Sequence, residues 1–155
     1  MSVSDNLNVS ADTPGQTGRA TVLVVDDSKT IRRSASGFLS SAGYDVVTAI
    51  DGFEALSKVV EHRPNVIFAD IMMPRLDGYQ TCALIKNNVD YRDIPVVMLS
   101  SKDGLFDRAR GRVAGADDHL AKPFDATQMA AAVAKHLRDA AKASNAEATA
   151  KLADV

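Results

Sequence analysis

Five short apolar runs, each separated from the next by a segment of helical length, constrain this chain more than any other feature. They are TVLVV (Thr21–Val25), DVVTA (Asp45–Ala49), VIFAD (Val66–Asp70), VVMLS (Val96–Ser100, opened by Pro95) and HLA (His119–Ala121). Apolar residues that run on without alternation are what a strand covered on both faces requires. Between the runs, apolar residues recur at helical spacing. The first such set is Ile31, Ala35, Phe38, Leu39 and Ala42, with Gly43 at the helix end, and the second is Phe53, Leu56, Val59 and Val60, stopped before Pro64. A third helix covers Tyr79–Ile85, and a more polar amphipathic segment from Leu105 to Ala114 is closed by Gly115. The last helix opens on a capping-box pattern, Asp125 with Gln128, and would bury Met129, Val133 and Leu137. Parallel strands need crossovers of this length, whereas hairpins do not. The pattern predicts an α/β fold: a doubly wound, five-stranded parallel sheet of order 2-1-3-4-5 with five helices.

The outer segments differ in texture. Residues 1–20 are polar and have almost nothing to bury, so they read as a disordered tail, with the folded domain at 21–138. Residues 139–155 form an Ala/Lys/Glu tail without a sustained apolar stripe, which either extends the last helix or frays. A net charge of −2 gives no basic footprint for direct nucleic-acid binding. The 18 or so residues after the last helix's apolar face are too few for a helix-turn-helix domain. No apolar run approaches the roughly 18 residues of a membrane span, and the start lacks a signal peptide's apolar region. The single cysteine, Cys82, excludes an internal disulfide. The expectation is a cytoplasmic protein with no membrane insertion.

The chemistry gathers at one sheet edge. In an open parallel sheet, ligands bind beyond the carboxyl ends of the strands, at the switch point between strands 1 and 3. Strand 1 ends in Asp26-Asp27 and strand 3 in Asp70. Three carboxylates in one crevice raise one another's pKa unless a cation lies among them, and Mg²⁺ is the hard, oxygen-seeking ion suited to that place. Strand 4 ends in Ser100-Ser101 and strand 5 in Ala121-Lys122-Pro123. A lysine there can neutralise phosphoryl oxygens as a point charge, and a hydroxyl can donate to one of them. Pro123 restricts the lysine's backbone and admits a cis bond. Any one of these residues alone is an ordinary surface group. Together they make a phosphoryl-transfer site in which Asp forms an acyl phosphate.

The strings VVDDSK, ADIMMPRLDG, MLSS and AKPF fall in the order and spacing of bacterial response-regulator receiver domains, which the chain resembles from about Thr21 to Leu137. The resemblance implies a flavodoxin-like fold and a set of roles. Asp70 would be the phosphoacceptor. Asp27 would ligate Mg²⁺ directly and Asp26 mainly through water, with the Met72 backbone carbonyl as a further ligand. Lys122 would contact the phosphoryl group, and Ser100 would move toward it, with His119 as the second switch position. The implied partners are a histidine kinase or its phosphotransfer domain and a downstream effector protein, met on the fourth helix, fifth strand and fifth helix. Enzymatic activity would be limited to self-catalysed phosphoryl acceptance and slow dephosphorylation. The stretches DDSKTIRRSASGFLSSAGYDVVTAIDGFEAL and DIMMPRLDGYQTCALIKNN resemble stand-alone receivers of twitching-motility (type IV pilus) chemosensory systems, which implies a chemotaxis-type kinase and an effector of the pilus machinery. A different chemotaxis or phosphorelay pathway, or a binding module independent of phosphorylation, are the alternatives.

Two positions depart from common versions of that family. Met72 replaces a polar side chain, and a thioether cannot hold an attacking water, so self-dephosphorylation should be slow. His119 stands where Tyr or Phe is usual, and an imidazole is smaller and titrates near neutral pH. Elsewhere the plainer reading is preferred. Gly78 would serve a tight turn, Met72, Met73 and Met98 would pack, Cys82 would lie in a helix interface, and Arg32-Arg33 would form a solvated face or a kinase-docking surface. A flavin-binding protein is disfavoured because DDSK would repel a flavin phosphate. A phosphatase with an Asp nucleophile on strand 1 would need a DxD pattern and a cap domain.

Overall fold

Strand and helix alternate five times along the described residues, in the order β1 (Thr21–Val25), α1 (Lys29–Ser41), β2 (Asp45–Ala49), α2 (Gly52–His62), β3 (Val66–Asp70), α3 (Gly78–Lys86), β4 (Val96–Ser100), α4 (Leu105–Val113), β5 (Asp118–Ala121) and α5 (Ala126–Ala153). A computed structural model describes residues 18–101 and 105–153, so most of the polar N-terminal stretch and residues 102–104 lie outside the described residues. All strand pairs are parallel, and the sheet order is β2-β1-β3-β4-β5. The fifth strand starts one residue earlier than expected, and α5 runs on through the Ala/Lys/Glu stretch.

The unbroken apolarity of β1, β3 and β4 has a direct cause: every residue of these strands is buried, because helices cover both faces. Leu23, Val25, Ile67, Ala69 and Met98 pack with Ala55, Val59, Cys82 and Ile85 of α2 and α3. Val22, Val24, Phe68, Val97 and Leu99 pack on the other face with Ala35 and Leu39 of α1 and Met129 and Val133 of α5. Helix starts are specified locally. The Ser28 hydroxyl accepts from the Ile31 N–H, Asp77 and Gln80 form a capping box, and Asp125 and Gln128 exchange side-chain to main-chain bonds of 2.7 and 2.9 Å. At the far end of the sheet, His136 on α5 sits 3.1 Å from Asp118 of β5. Burial disfavours the Asp118 carboxylate, but the His119 N–H, the His136 ring and Lys135 outweigh burial and hold its pKa below the usual value.

Three packing expectations need correction. On α2, Phe53 and Val60 are 54% and 61% exposed, while Gly52, Ala55 and Val59 are the buried residues. The face turned to α3 is set at the helix start: a Cβ built on Gly52 would lie 2.3 Å from Thr81 Oγ1 and 2.8 Å from the Leu76 side chain, so only glycine fits at that point. Ala42 caps α1 and is exposed instead of packed. Met72 is 74% exposed, unlike the buried Met73 and Met98, because its side chain leaves the loop on the solvent side. Cys82 is buried, with Sγ 3.5 Å from the Ala114 carbonyl, and burial pushes its thiol up to about 11.

Gly52→Ala should therefore cost about 1–3 kcal/mol in urea unfolding through overpacking. Gly37→Ala, on an exposed part of α1 with nothing within 4 Å of an added Cβ, should gain about 0.5–1 kcal/mol from helix propensity. Equal effects at the two positions would refute the packing account.

Candidate functional site

The pairing register sets the site. Val25 of β1 lies beside Ala69 of β3, so Asp26 and Asp27 follow the end of one strand as Asp70 ends its neighbour. One carboxylate oxygen from each of the three residues lies within 4.8 Å of the others. Asp26 and Asp70 are buried, whereas Asp27 is exposed. Lys122, just past β5, reaches across and donates to both buried acids, with Nζ 2.9 Å from Asp26 Oδ2 and 3.1 Å from Asp70 Oδ1. Its main-chain N–H donates to the Ser100 carbonyl at 2.7 Å, which ties the ends of β4 and β5 together, and the Lys122–Pro123 peptide is cis.

Charge at this edge is unbalanced. One ammonium faces three carboxylates, which leaves two negative charges when all are ionised. Burial and the neighbouring Asp26 raise the Asp70 pKa, and together they outweigh Lys122 and the Met72 N–H, which act to lower it. Burial disfavours the Lys122 ammonium, but hydrogen bonds and attraction from Asp26 and Asp70 override that and raise its pKa. A cluster of hard oxygen donors with two surplus negative charges is suited to a divalent cation of the Mg²⁺ type.

The surroundings hold these groups still. The Ser28 N–H donates to Asp26 Oδ1 at 2.9 Å, and the Arg32 guanidinium donates to the Asp26 carbonyl at 2.8 Å. Arg32 is thus a brace for the β1–α1 turn and not simply a solvated residue, while Arg33 is exposed. Gly78 is not a left-handed turn residue. It is required because an added Cβ would lie 2.3 Å from the Asp70 carbonyl oxygen, so the start of α3 rests on the main chain of the central acid. Met72 lines a cavity of about 440 Å³ with Asp27, Met73, Pro74, Asp77 and Arg110, beside the acidic cluster.

Ser100 and His119 share one face of the sheet, since His119 pairs with Met98 and side chains alternate along β4. Ser100 is buried at the acidic edge. His119 lies outside the acidic cluster, in a cavity of about 410 Å³ against α4 with Met98, Arg108, Gly111 and Arg112. Sequence reasoning missed Arg32's contact, the contact of Arg75 with Asp51 at 2.6 Å, and the stacking of Arg110 over Tyr79 at 4.4 Å. Only Asp51 carried a usable signal, as an N-cap residue before GFEAL.

Residues 22–134 match the response regulator receiver domain family, to which the chain belongs, and the five-stranded sheet of order 2-1-3-4-5 with acids at its switch point fits that class. Receiver domains are signalling modules that accept a phosphoryl group, bind Mg²⁺ at an acidic pocket, and interact with a histidine kinase and downstream effectors. The chain is 60% identical over 116 residues to protein PilG of Pseudomonas aeruginosa, covering 75% of this chain and 86% of that protein. It is 40% identical to the response regulator MprA of Mycobacterium avium, covering 83% of this chain and 56% of MprA, so it spans about half of that longer relative. Among solved structures it is similar to the chemotaxis protein CheY4 of Vibrio cholerae, with a TM-score of 0.73 at 35% identity, covering 76% of this chain and 98% of that one. Among the described residues, no helix is long and apolar enough to cross a membrane.

The raised Asp70 pKa has a sign that can be tested without metal. The native state favours the protonated acid, so this contribution to stability is full below the ordinary value of 3.8 and lost as pH rises through the higher folded value. In metal-free buffer at neutral pH, Asp70→Asn should therefore unfold at higher urea than the parent. The gap should narrow as pH falls toward 3.8, and a parent that is the more stable at neutral pH would contradict the sign.

Proposed function

We propose that Asp70 is the phosphoacceptor and that Asp26, Asp27, Asp70 and the Met72 main-chain carbonyl hold Mg²⁺, with Lys122 and Ser100 contacting the incoming phosphoryl group. The observation that carries this reading is the Lys122 ammonium shared by Asp26 and Asp70 beside a surplus of negative charge. In the transfer, an Asp70 carboxylate oxygen forms a bond to phosphorus while the bond from phosphorus to a kinase histidine nitrogen breaks. The leaving nitrogen keeps the bonding electron pair and takes up a proton. Bound Mg²⁺ would supply charge neutralisation for the phosphoryl oxygens. Lys122, already held at the site by its bonds to Asp26 and Asp70, would add a second positive charge for the phosphoryl oxygens. Its bond to Asp70 competes with the incoming phosphoryl group, and transfer would move the ammonium from the acid to a phosphoryl oxygen.

Ser100 and His119 would carry the news outward. The Ser100 hydroxyl would turn toward the phosphoryl group, and His119 would follow on the same face of the sheet, beneath α4. The described part of α4, with β5 and α5, is the surface proposed to meet an effector. The unit doing this would be residues 21–138, and α5 runs on past it to Ala153. The resemblance to twitching-motility receivers, joined by the 60% identity to PilG, supports a chemotaxis-type kinase as donor and a pilus-machinery effector, and the setting would be cytoplasmic. Binding without phosphorylation is the competing reading.

Phosphorylation with acetyl phosphate, followed by intact-mass spectrometry, tests the assignment. The parent should gain one phosphoryl group only with Mg²⁺, and Asp70→Asn should gain none. Incorporation that persists in Asp70→Asn or ignores Mg²⁺ would sink the mechanism. A second outcome concerns Met72, whose exposed thioether offers no hydrogen bond to a water. The phosphorylated protein should be long-lived and Met72→Asn shorter-lived at equal stability, as read by loss of the added mass over time. A lifetime of seconds in the parent would contradict this.

A further inference from the structure

The loop between β3 and α3 turns sharply in front of the acidic cluster. Leu76 N–H donates to the Pro74 carbonyl at 2.8 Å, and Arg75 between them has φ +67, a region that favours glycine over a long side chain. Something must offset that preference. The Arg75 guanidinium donates to Asp51 Oδ2 at 2.6 Å and lies over the Phe53 ring, 5.7 Å from its centroid. Asp51 is only 8% exposed, and its other oxygen accepts the Glu54 N–H at 2.8 Å as the N-cap of α2. One buried carboxylate therefore both starts α2 and grips the turn. Leu76 adds a second contact, since it packs where a Gly52 side chain would stand.

We propose that Arg75 is a positioning residue. Through Asp51 it clamps the β3–α3 loop to the start of α2 and so fixes the Met72 main chain for the Mg²⁺ site. The inference rests on the metal reading given above. An ion pair whose arginine side chain is 69% exposed contributes little to global stability. The same contact can matter much more for binding, because groups that orient a ligand from behind commonly change metal affinity on the order of tenfold or more. A residue kept at an unfavourable φ for stability alone would be a poor solution, since glycine would serve the turn better. An ion pair from the turn to a rigid helix start is a good solution for holding a loop.

Isothermal titration of MgCl₂ into the 155-residue protein separates these roles. The set is the parent, Arg75→Lys, Arg75→Gly, Asp51→Asn and the Arg75→Gly/Asp51→Asn double variant. Arg75→Gly relaxes the turn, and Asn at position 51 keeps an acceptor for the Glu54 N–H. Both single variants should keep a thermal midpoint near the parent's yet bind Mg²⁺ on the order of tenfold more weakly. Arg75→Lys should restore most of the affinity, and the double variant should be no weaker than the worse single, as for two halves of one contact. A parent that does not bind Mg²⁺ overturns the metal reading and this inference with it. A parent that binds, with both single variants within about twofold of it, overturns the inference alone, as does a double variant whose losses add. If Arg75→Gly fails to fold, Arg75→Lys and Asp51→Asn still decide the matter.

Discussion

The ammonium of Lys122, shared between Asp26 and Asp70, is the interaction on which this edge of the molecule depends. Two buried carboxylates side by side would otherwise repel, and burial would drive at least one to take up a proton. The lysine arrives from a position 96 residues away in sequence from Asp26, so the contact exists only when β5 has joined the sheet. Its main-chain bond to Ser100 then makes the joining of β4 and β5 part of the same arrangement. The site is thus a report on the completed fold, assembled from the ends of strands that lie far apart in the chain.

The two-sided core explains why so few residues can do so much. Because β1, β3 and β4 are buried on both faces, their ends are held firmly, and a side chain one residue past an end is placed by the strand itself. The helices add fine adjustment at two glycines. Gly52 lets α2 approach α3, and Gly78 lets α3 rest on the Asp70 carbonyl. The loops are pinned individually, by Arg32 on the Asp26 carbonyl and by Arg75 on Asp51.

Much of this was legible in the sequence, for identifiable reasons. Continuous β-branched runs gave the central strands, because double burial leaves no polar alternation to confuse the reading. The capping pair Asp125 and Gln128 marked the start of the last helix, and the carboxyl-end rule gathered Asp26, Asp27, Asp70 and Lys122 at one edge. The failures share a cause too. Phe53 and Val60 fit a helical period, yet the face of α2 that packs is chosen by how closely α3 approaches, which no single-helix pattern encodes. The positive φ at Arg75 was equally hidden, since nothing in the residue type announces it and only the partner at Asp51 makes sense of it.

Met72 sits at the opposite extreme from Gly78. Its neighbour in function, Asp70, is boxed in by main chain, but the Met72 side chain touches little and supports nothing in the core. The two positions divide the loop into a part that cannot vary and a part that can. A lineage could exchange the thioether for a carboxamide or a carboxylate without loosening the domain. On the proposed role of Met72, the clock of the signal and the durability of the protein would be set by separate residues, and selection could adjust one without disturbing the other.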